Sequence, residues 1–222
     1  MVDPSLRRVA RLAAAVAVAL SAACSSPPPP APAAEAVPAL DLRHAGAVGV
    51  LDFSALGEPG LAPVARDQFL AAVRAAQPGA TLRALGAPAQ VLASVGATSL
   101  DAAALQAIGQ RYQLGAVLVA EVRSDEMDPY LFMRQARAAT SAVEIGGLLS
   151  AQIFETRTGT AIWSTSATGR QPITRVQVNA WGIKSVDAAH LQEVRLALVK
   201  GLVTQATADF RPQRAPGPMA VN

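Results

Sequence analysis

One thiol, two imidazoles and a few closely spaced carboxylates are the groups in this 222-residue chain that could do chemistry. Cys24 is the only cysteine, so no disulfide can form within the chain and the thiol must have another use. It follows Arg7, Arg8 and Arg11, an apolar run from Leu12 to Leu20, and the small residues Ser21-Ala22-Ala23. That order of charge, apolar stretch and small residues is the anatomy of a secretory signal cut just before the thiol. The apolar run is too short for a membrane span, which takes ~20 residues. His44 and His190 are the only histidines, and neither has a carboxylate or hydroxyl at a recognisable catalytic spacing. His190, in the first turn of an expected helix, reads as a surface histidine. Gly57 and Gly60 stand between a strand and a helix, where phosphate loops occur, but the lysine and hydroxyl of such a loop are missing. Asp125, Glu126 and Asp128 lack the alternating spacing and closing glutamate of a calcium loop. These patterns predict no catalytic residue, no metal and no cofactor.

A second set of residues suits contact rather than catalysis. Only 4% of the chain is aromatic, yet Tyr130 and Phe132 stand together in a polar stretch with Met127, Met133, Arg134 and Arg137. Tyr, Phe, Met and Arg are favoured at the cores of protein interfaces. Met127, Tyr130, Phe132, Met133 and Arg134 are therefore candidate partner-binding residues. Trp181, flanked by Val178, Ala180 and Ile183, is another. Either group could instead fold back to cover a sheet.

These residues need a scaffold, and the chain supplies signals for one. Residues 24–44 follow the signal of 1–23 and include the run PPPPAPAAEAVPA, an extended and semi-rigid tether of ~3 Å per residue. A domain is expected over 45–211. Ala47 to Phe53 reads as a buried strand, and Ala62 to Gln77 as a helix stopped by Pro78-Gly79. Thr81 to Leu85 reads as a short strand and Pro88 to Val95 as a short helix. Thr98-x-x-Asp101 reads as a capping box opening a helix with Leu105, Ile108 and Tyr112 at helical spacing. Ala116 to Ala120 is continuously apolar, which predicts a central strand covered on both faces, with Val119 buried. Residues 124–141 read as a long excursion. Ala142 to Thr156 and Thr160 to Thr168 read as a hairpin around Arg157-Thr158-Gly159, followed by irregular chain from Gln171 to Ser185. Ser185 or Asp187 should cap a last helix whose core face carries Leu191, Val194, Leu198 and Leu202. Residues 212–222 read as a loose tail. The order predicts a single α/β domain, a mixed β-sheet with helices packed on it, closed by a C-terminal hairpin and helix.

Composition adds limits. About 200 residues remain after the signal, enough for one real core. Net charge is +3, and its arginines are scattered rather than gathered on one element, which argues against nucleic acid as a partner.

Two resemblances follow from these residues. A cysteine directly after such a signal resembles the lipobox of bacterial lipoproteins. That resemblance implies a diacylated Cys24 as the mature N-terminus. Ser25 rather than aspartate after it resembles the sorting pattern for the outer membrane, periplasmic side. The second rests on three motifs in order: Gly49-Val50-Leu51-Asp52-Phe53; Ile108-Gly109-Gln110-Arg111-Tyr112-Gln113-Leu114-Gly115 running into Ala116-Val117-Leu118-Val119; and Glu155-Thr156-Arg157-Thr158-Gly159-Thr160-Ala161-Ile162-Trp163. Together they resemble the periplasmic domain superfamily of CsgG, LpoB and the TolB N-terminal domain. This resemblance implies a binding or assembly module, not an enzyme. The expected function is that of a lipid-anchored periplasmic scaffold or accessory factor for an envelope assembly, with a periplasmic or outer-membrane protein as partner. Two alternatives stand beside it: a subunit of a curli-type secretion pore, and a hydrolase or small-ligand binder with its site near Asp52.

Overall fold

The structure is a computed structural model that describes residues 37–38, 40–125, 143–174, 177–178, 184–185 and 187–213. Cys24, Met127, Tyr130, Phe132, Met133, Arg134 and Trp181 lie outside these residues. From the start of the described chain run β1 (Val37–Pro38), a short 3-10 helix (Leu42–Ala45), β2 (Ala47–Leu51), β3 (Ser54–Leu56), α1 (Leu61–Ala76), β4 (Thr81–Gly86), α2 (Pro88–Ser94) and α3 (Ala102–Tyr112). Then come β5 (Ala116–Ser124), β6 (Val143–Glu155), β7 (Ala161–Ile173), the pair β8 (Gln177–Val178) and β9 (Lys184–Ser185), α4 (Ala188–Ala206) and β10 (Pro212–Gln213). Six strands form one mixed sheet in the order β4-β2-β5-β6-β7, with β3 also pairing β5. The β2–β4, β2–β5 and β3–β5 pairs are parallel, and β5–β6 and β6–β7 are antiparallel. The expected mixed α/β sheet with a closing hairpin and helix is what forms.

Two apolar layers sandwich the sheet. Alternate residues of β5 explain how. Ala116, Leu118, Ala120 and Val122 join α1 and α4 in the larger cluster, while Val117 and Val119 join α2 and α3 in the smaller one. α2 and α3 cover only the first part of that second face. Val119 therefore lies at their margin and is half-buried, not buried as a wholly covered strand would have it. Beyond it the same face continues as Glu121 and the exposed Arg123. Strand β5 is four residues longer than its apolar run, because antiparallel pairing with β6 carries it on through Ser124. Likewise β7 runs to Ile173, so Gln171 to Ile173 are paired chain rather than irregular.

Local signals mostly placed the helices, with one correction. Asp101, not Thr98, is the N-cap of α3, and its carboxylate accepts from the Ala104 N–H. Of the two caps expected for α4, Ser185 and Asp187, Asp187 takes the position and accepts from the His190 N–H. The cross-strand pair Gly147 and Gly169 lets α4 sit close to the sheet. A Cβ at Gly147 would lie 2.9 Å from a Leu198 methyl.

The folded unit is longer at both ends than 45–211. β1 pairs antiparallel with β10, and Leu42 is buried. The reason is a buried amide. The Leu42 N–H donates to Gln77 Oε1 at 2.8 Å, and Gln77 Nε2 donates to the carbonyls of Leu40 and of Phe210, the latter at 3.2 Å. One side chain at the end of α1 thus ties the incoming chain to the outgoing one. Phe210 beside it closes an aromatic chain: its ring centroid is 6.0 Å from Phe69 and 4.8 Å from Trp163. Trp163 Nε1 donates to Asp209 at 3.1 Å.

Candidate functional site

The groups singled out for chemistry lie apart. Asp52, at the end of β2, accepts a hydrogen bond from the Arg66 guanidinium of α1, which also binds Asp67 at 2.9 Å. The two carboxylates, Asp67 foremost, raise the Arg66 pKa. His44 is 3.3 Å from Asp41 and His190 is 3.4 Å from Glu193, so neither imidazole is placed on Asp52. His190 is buried, not a surface residue. Its position in the first turn of α4 turns it inward, and its Nε2 is buried with no hydrogen-bond partner among the described residues. Among the described residues no cluster of three metal-ligating side chains occurs. Gly57 has φ +94°, and a Cβ there would meet the Ser124 carbonyl at 2.7 Å, so this glycine serves a turn.

Asp41 has the best-defined electrostatics. The Arg43 guanidinium donates to it at 2.9 and 2.6 Å and the Arg43 N–H at 3.0 Å, and these bonds lower its pKa to about 2. A folded pKa below the unfolded value means that this interaction favours folding above pH ~4 and fades as the pH falls toward 2. Carboxyl-carbon NMR should give Asp41 a midpoint near 2, and Arg43→Gln should move it toward the ordinary aspartate range.

Among the described residues no helix covers the far part of one face of β5, β6 and β7, which is open to a partner. Glu121, Ser150 and Ser166 lie side by side across the three strands, as do Arg123, Leu148 and Thr168. At the end of this face is a cleft of about 590 Å³ lined by Arg123, Asp125, Gly146, Leu148, Thr168 and Arg170, among others. Gly146 is its floor. The Gly146 N–H donates to the Asp125 carboxylate at 3.1 Å, and a Cβ there would be 2.3 Å from that oxygen. Arg123 pairs with Glu121 at 3.1 Å, and Arg170 stands 3.9 Å from Glu144. Exposed pairs of this kind hold with ~1 kcal/mol or less, so both guanidiniums can turn to another acceptor.

Strand direction places this cleft. The chain joins the sheet at Ala47, and β5 starts beside it at Ala116 and ends at Ser124, next to the cleft. Nine strand residues span roughly 30 Å, so the cleft lies at the far end of the sheet from Ala47, where the chain enters it. The period-two row Ser164, Ser166, Thr168, Arg170 was the sequence signal for this face. Such alternation marks a polar face but not which part of it other elements cover. The inner face of the same hairpin, Leu149, Ala151, Ile153 and Ala167, is buried in the core that α4 shares. Neither side of it is the free apolar surface that a bilayer-crossing hairpin needs. Among the described residues no helix is long and apolar enough to cross a membrane.

No family model matches this chain, and no curated protein matches it. Solved structures do align with it. The PelC dodecamer from Paraburkholderia phytofirmans aligns at TM-score 0.43 and 16% identity, over 79% of this chain and 93% of that one. A lipoprotein from Neisseria meningitidis aligns at TM-score 0.37 and 15% identity, over 72% of this chain and 99% of that one. The C-terminal domain of LpoB from Salmonella enterica aligns at TM-score 0.36 and 14% identity, over 57% of this chain and 84% of that one.

Proposed function

We infer that this protein is a lipid-anchored accessory or scaffold protein of the cell envelope, working by holding a protein partner rather than by catalysis. The observation that carries the reading is the face of β5–β7 that no described helix covers, polar and carrying its cleft at the end of the sheet remote from the entry of the chain at Ala47. An antiparallel sheet can leave one face to water. Here that face also carries arginines, hydroxyls and the half-buried Leu148, a mixture that suits a contact surface. Cys24 supplies the anchor, with the outer membrane as its site, and residues 25–36 supply reach. The partner is a periplasmic or outer-membrane protein.

The experiment is site-specific photocrosslinking in cells. A benzophenone side chain at the exposed Thr168 should give a defined adduct with one envelope protein, and Arg170→Glu should abolish it. The same probe at Ala75, exposed on α1, should give none. Equal labelling from both positions would remove the cleft from the interface. The anchor is tested separately. Intact mass of the membrane-extracted protein should show a diacylglyceryl group on Cys24 and loss of residues 1–23. Cys24→Ala should move the protein to the soluble fraction with its melting temperature unchanged, since the core begins beyond the tether.

A further inference from the structure

The charges of this domain are not matched alike at its two ends. Away from the tether every described arginine has a carboxylate. Arg66 binds Asp52 and Asp67, Arg123 binds Glu121, Arg195 binds Glu58 at 2.8 Å, and Arg170 stands near Glu144. Asp125 and Asp187 add negative charge there, tied to backbone N–H groups. At the tether end the balance reverses. Arg74 is in the last turn of α1, one turn before the Gln77 that holds Leu40 and Leu42. Arg111 is in the last turn of α3, with its guanidinium 5.9 Å over the Tyr112 ring, and Arg83 reaches the Tyr112 carbonyl at 3.4 Å. All three are exposed, and none has a carboxylate within ion-pair distance among the described residues. The carboxylates nearby are engaged: Asp41 by Arg43, Glu155 by Arg157 and Thr158, Asp209 by Trp163. Ile162, one of the few exposed large apolar side chains, lies at the same end, in a depression shared with Leu40, His44 and Arg157.

We propose that this end, centred on Arg74, Arg83 and Arg111, rests on an anionic lipid surface and sets which way the anchored domain faces. Two observations select a bilayer as the occupant. The unmatched cations complement lipid phosphates, and the described chain enters the domain at this same end, where the Leu40 N–H donates to the Asp209 carbonyl. Electrostatic attraction fades beyond ~10 Å at physiological salt, so cations act on a membrane only when something keeps them close. The thirteen residues from Cys24 to Val37 reach at most roughly 45 Å, so this end can come down onto the bilayer that holds Cys24, and once there its cations lie within that range. With this end down, the cleft between Arg123 and Arg170 faces away from the bilayer. The inference rests on the anchored reading above, and its test is chosen to stand apart from it.

The test uses the full mature chain carrying Cys24→Ala, so that no lipid assists binding. It should sediment with vesicles of phosphatidylglycerol and phosphatidylcholine at low salt, be released by high salt, and ignore phosphatidylcholine alone. An arginine near such a surface is worth roughly fivefold in partitioning, so Arg74→Gln with Arg83→Gln and Arg111→Gln should weaken binding by about a hundredfold. The control pair Arg123→Gln and Arg170→Gln should leave it unchanged. Circular dichroism melting verifies that each variant is folded; should the triple variant melt early, the three single variants replace it, each expected to lose about fivefold. Equal binding to neutral vesicles, or equal losses in the triple variant and the control, overturns the proposal. Retained vesicle binding alongside an unmodified Cys24 in the wild type would sink the anchor and leave the cationic face standing.

Discussion

Replacing Gln77 by alanine should lower the unfolding free energy by about 3–5 kcal/mol. Gln77 is 4% exposed, and its amide satisfies the Leu42 N–H and the Leu40 and Phe210 carbonyls. Removing it leaves those backbone groups with no partner in a place water reaches poorly, and each such orphan costs ~1–3 kcal/mol. For a domain of this size the melting temperature should fall by roughly 10 °C. The amide chemistry can be separated from the loss of volume with Gln77→Glu. A carboxylate keeps the bond from the Leu42 N–H but turns negative oxygen toward two carbonyls. Its folded pKa should therefore rise above the unfolded value of ~4.3. A raised acid pKa means that the variant is weakest at neutral pH and recovers as the pH falls through that pKa. A Gln77→Glu protein as stable as wild type at pH 7 would show that the clamp contributes little. The clamp also predicts order of loss: hydrogen exchange at Leu42 should quicken in Gln77→Ala before exchange in β5 does.

Leu198→Ala should cost about 2–5 kcal/mol. Leu198 is 2% exposed and its methyls lie over Gly147 and Gly169, where the sheet offers no side chain to move into the space. A cavity above glycines cannot be refilled by a rotamer change, so the cost belongs toward the upper part of that range. Leu196, two residues away on the same helix, is 36% exposed. Leu196→Ala should stay within ~0.5 kcal/mol. Guanidinium unfolding curves of the two variants, with unchanged slopes, check the pair. Equal losses would mean that α4 does not seat this face on the sheet.

Much of the element order was legible because its signals are local. A proline-glycine pair ended α1, the Thr-Gly turn made the β6–β7 hairpin, and four leucines and valines at helical spacing marked the core face of α4. Errors came where a local rule met a distant constraint. Continuous apolar sequence around Val119 promised cover on both faces, but α2 and α3 stop short there. The spacing of Thr98 and Asp101 fitted a capping box, yet the helix begins three residues later than that and Asp101 takes the cap itself. His190 looked like a surface residue because periodicity says which side of a helix is apolar, not what else packs against its first turn.

By itself the sequence determined the α/β class and most helix and strand boundaries, and it is the source of the expectation of a secretory signal over residues 1–23 and a proline-rich tether after it. These depend on residues within a few positions of one another. Only the tertiary structure decided the rest. Gln77 and Phe210 are 133 positions apart, and nothing near either announces the bond between them. The open face and its cleft exist because β7 follows β6 at the end of the sheet while α2 and α3 cover the opposite part of that face. Scattered arginines read as a uniform surface until folding brought Arg74, Arg83 and Arg111 to one end and paired Arg43, Arg66, Arg123, Arg157 and Arg195 with carboxylates. Burial, strand order and charge matching are sums over contacts between distant residues, and the chain has to close on itself before those sums have values.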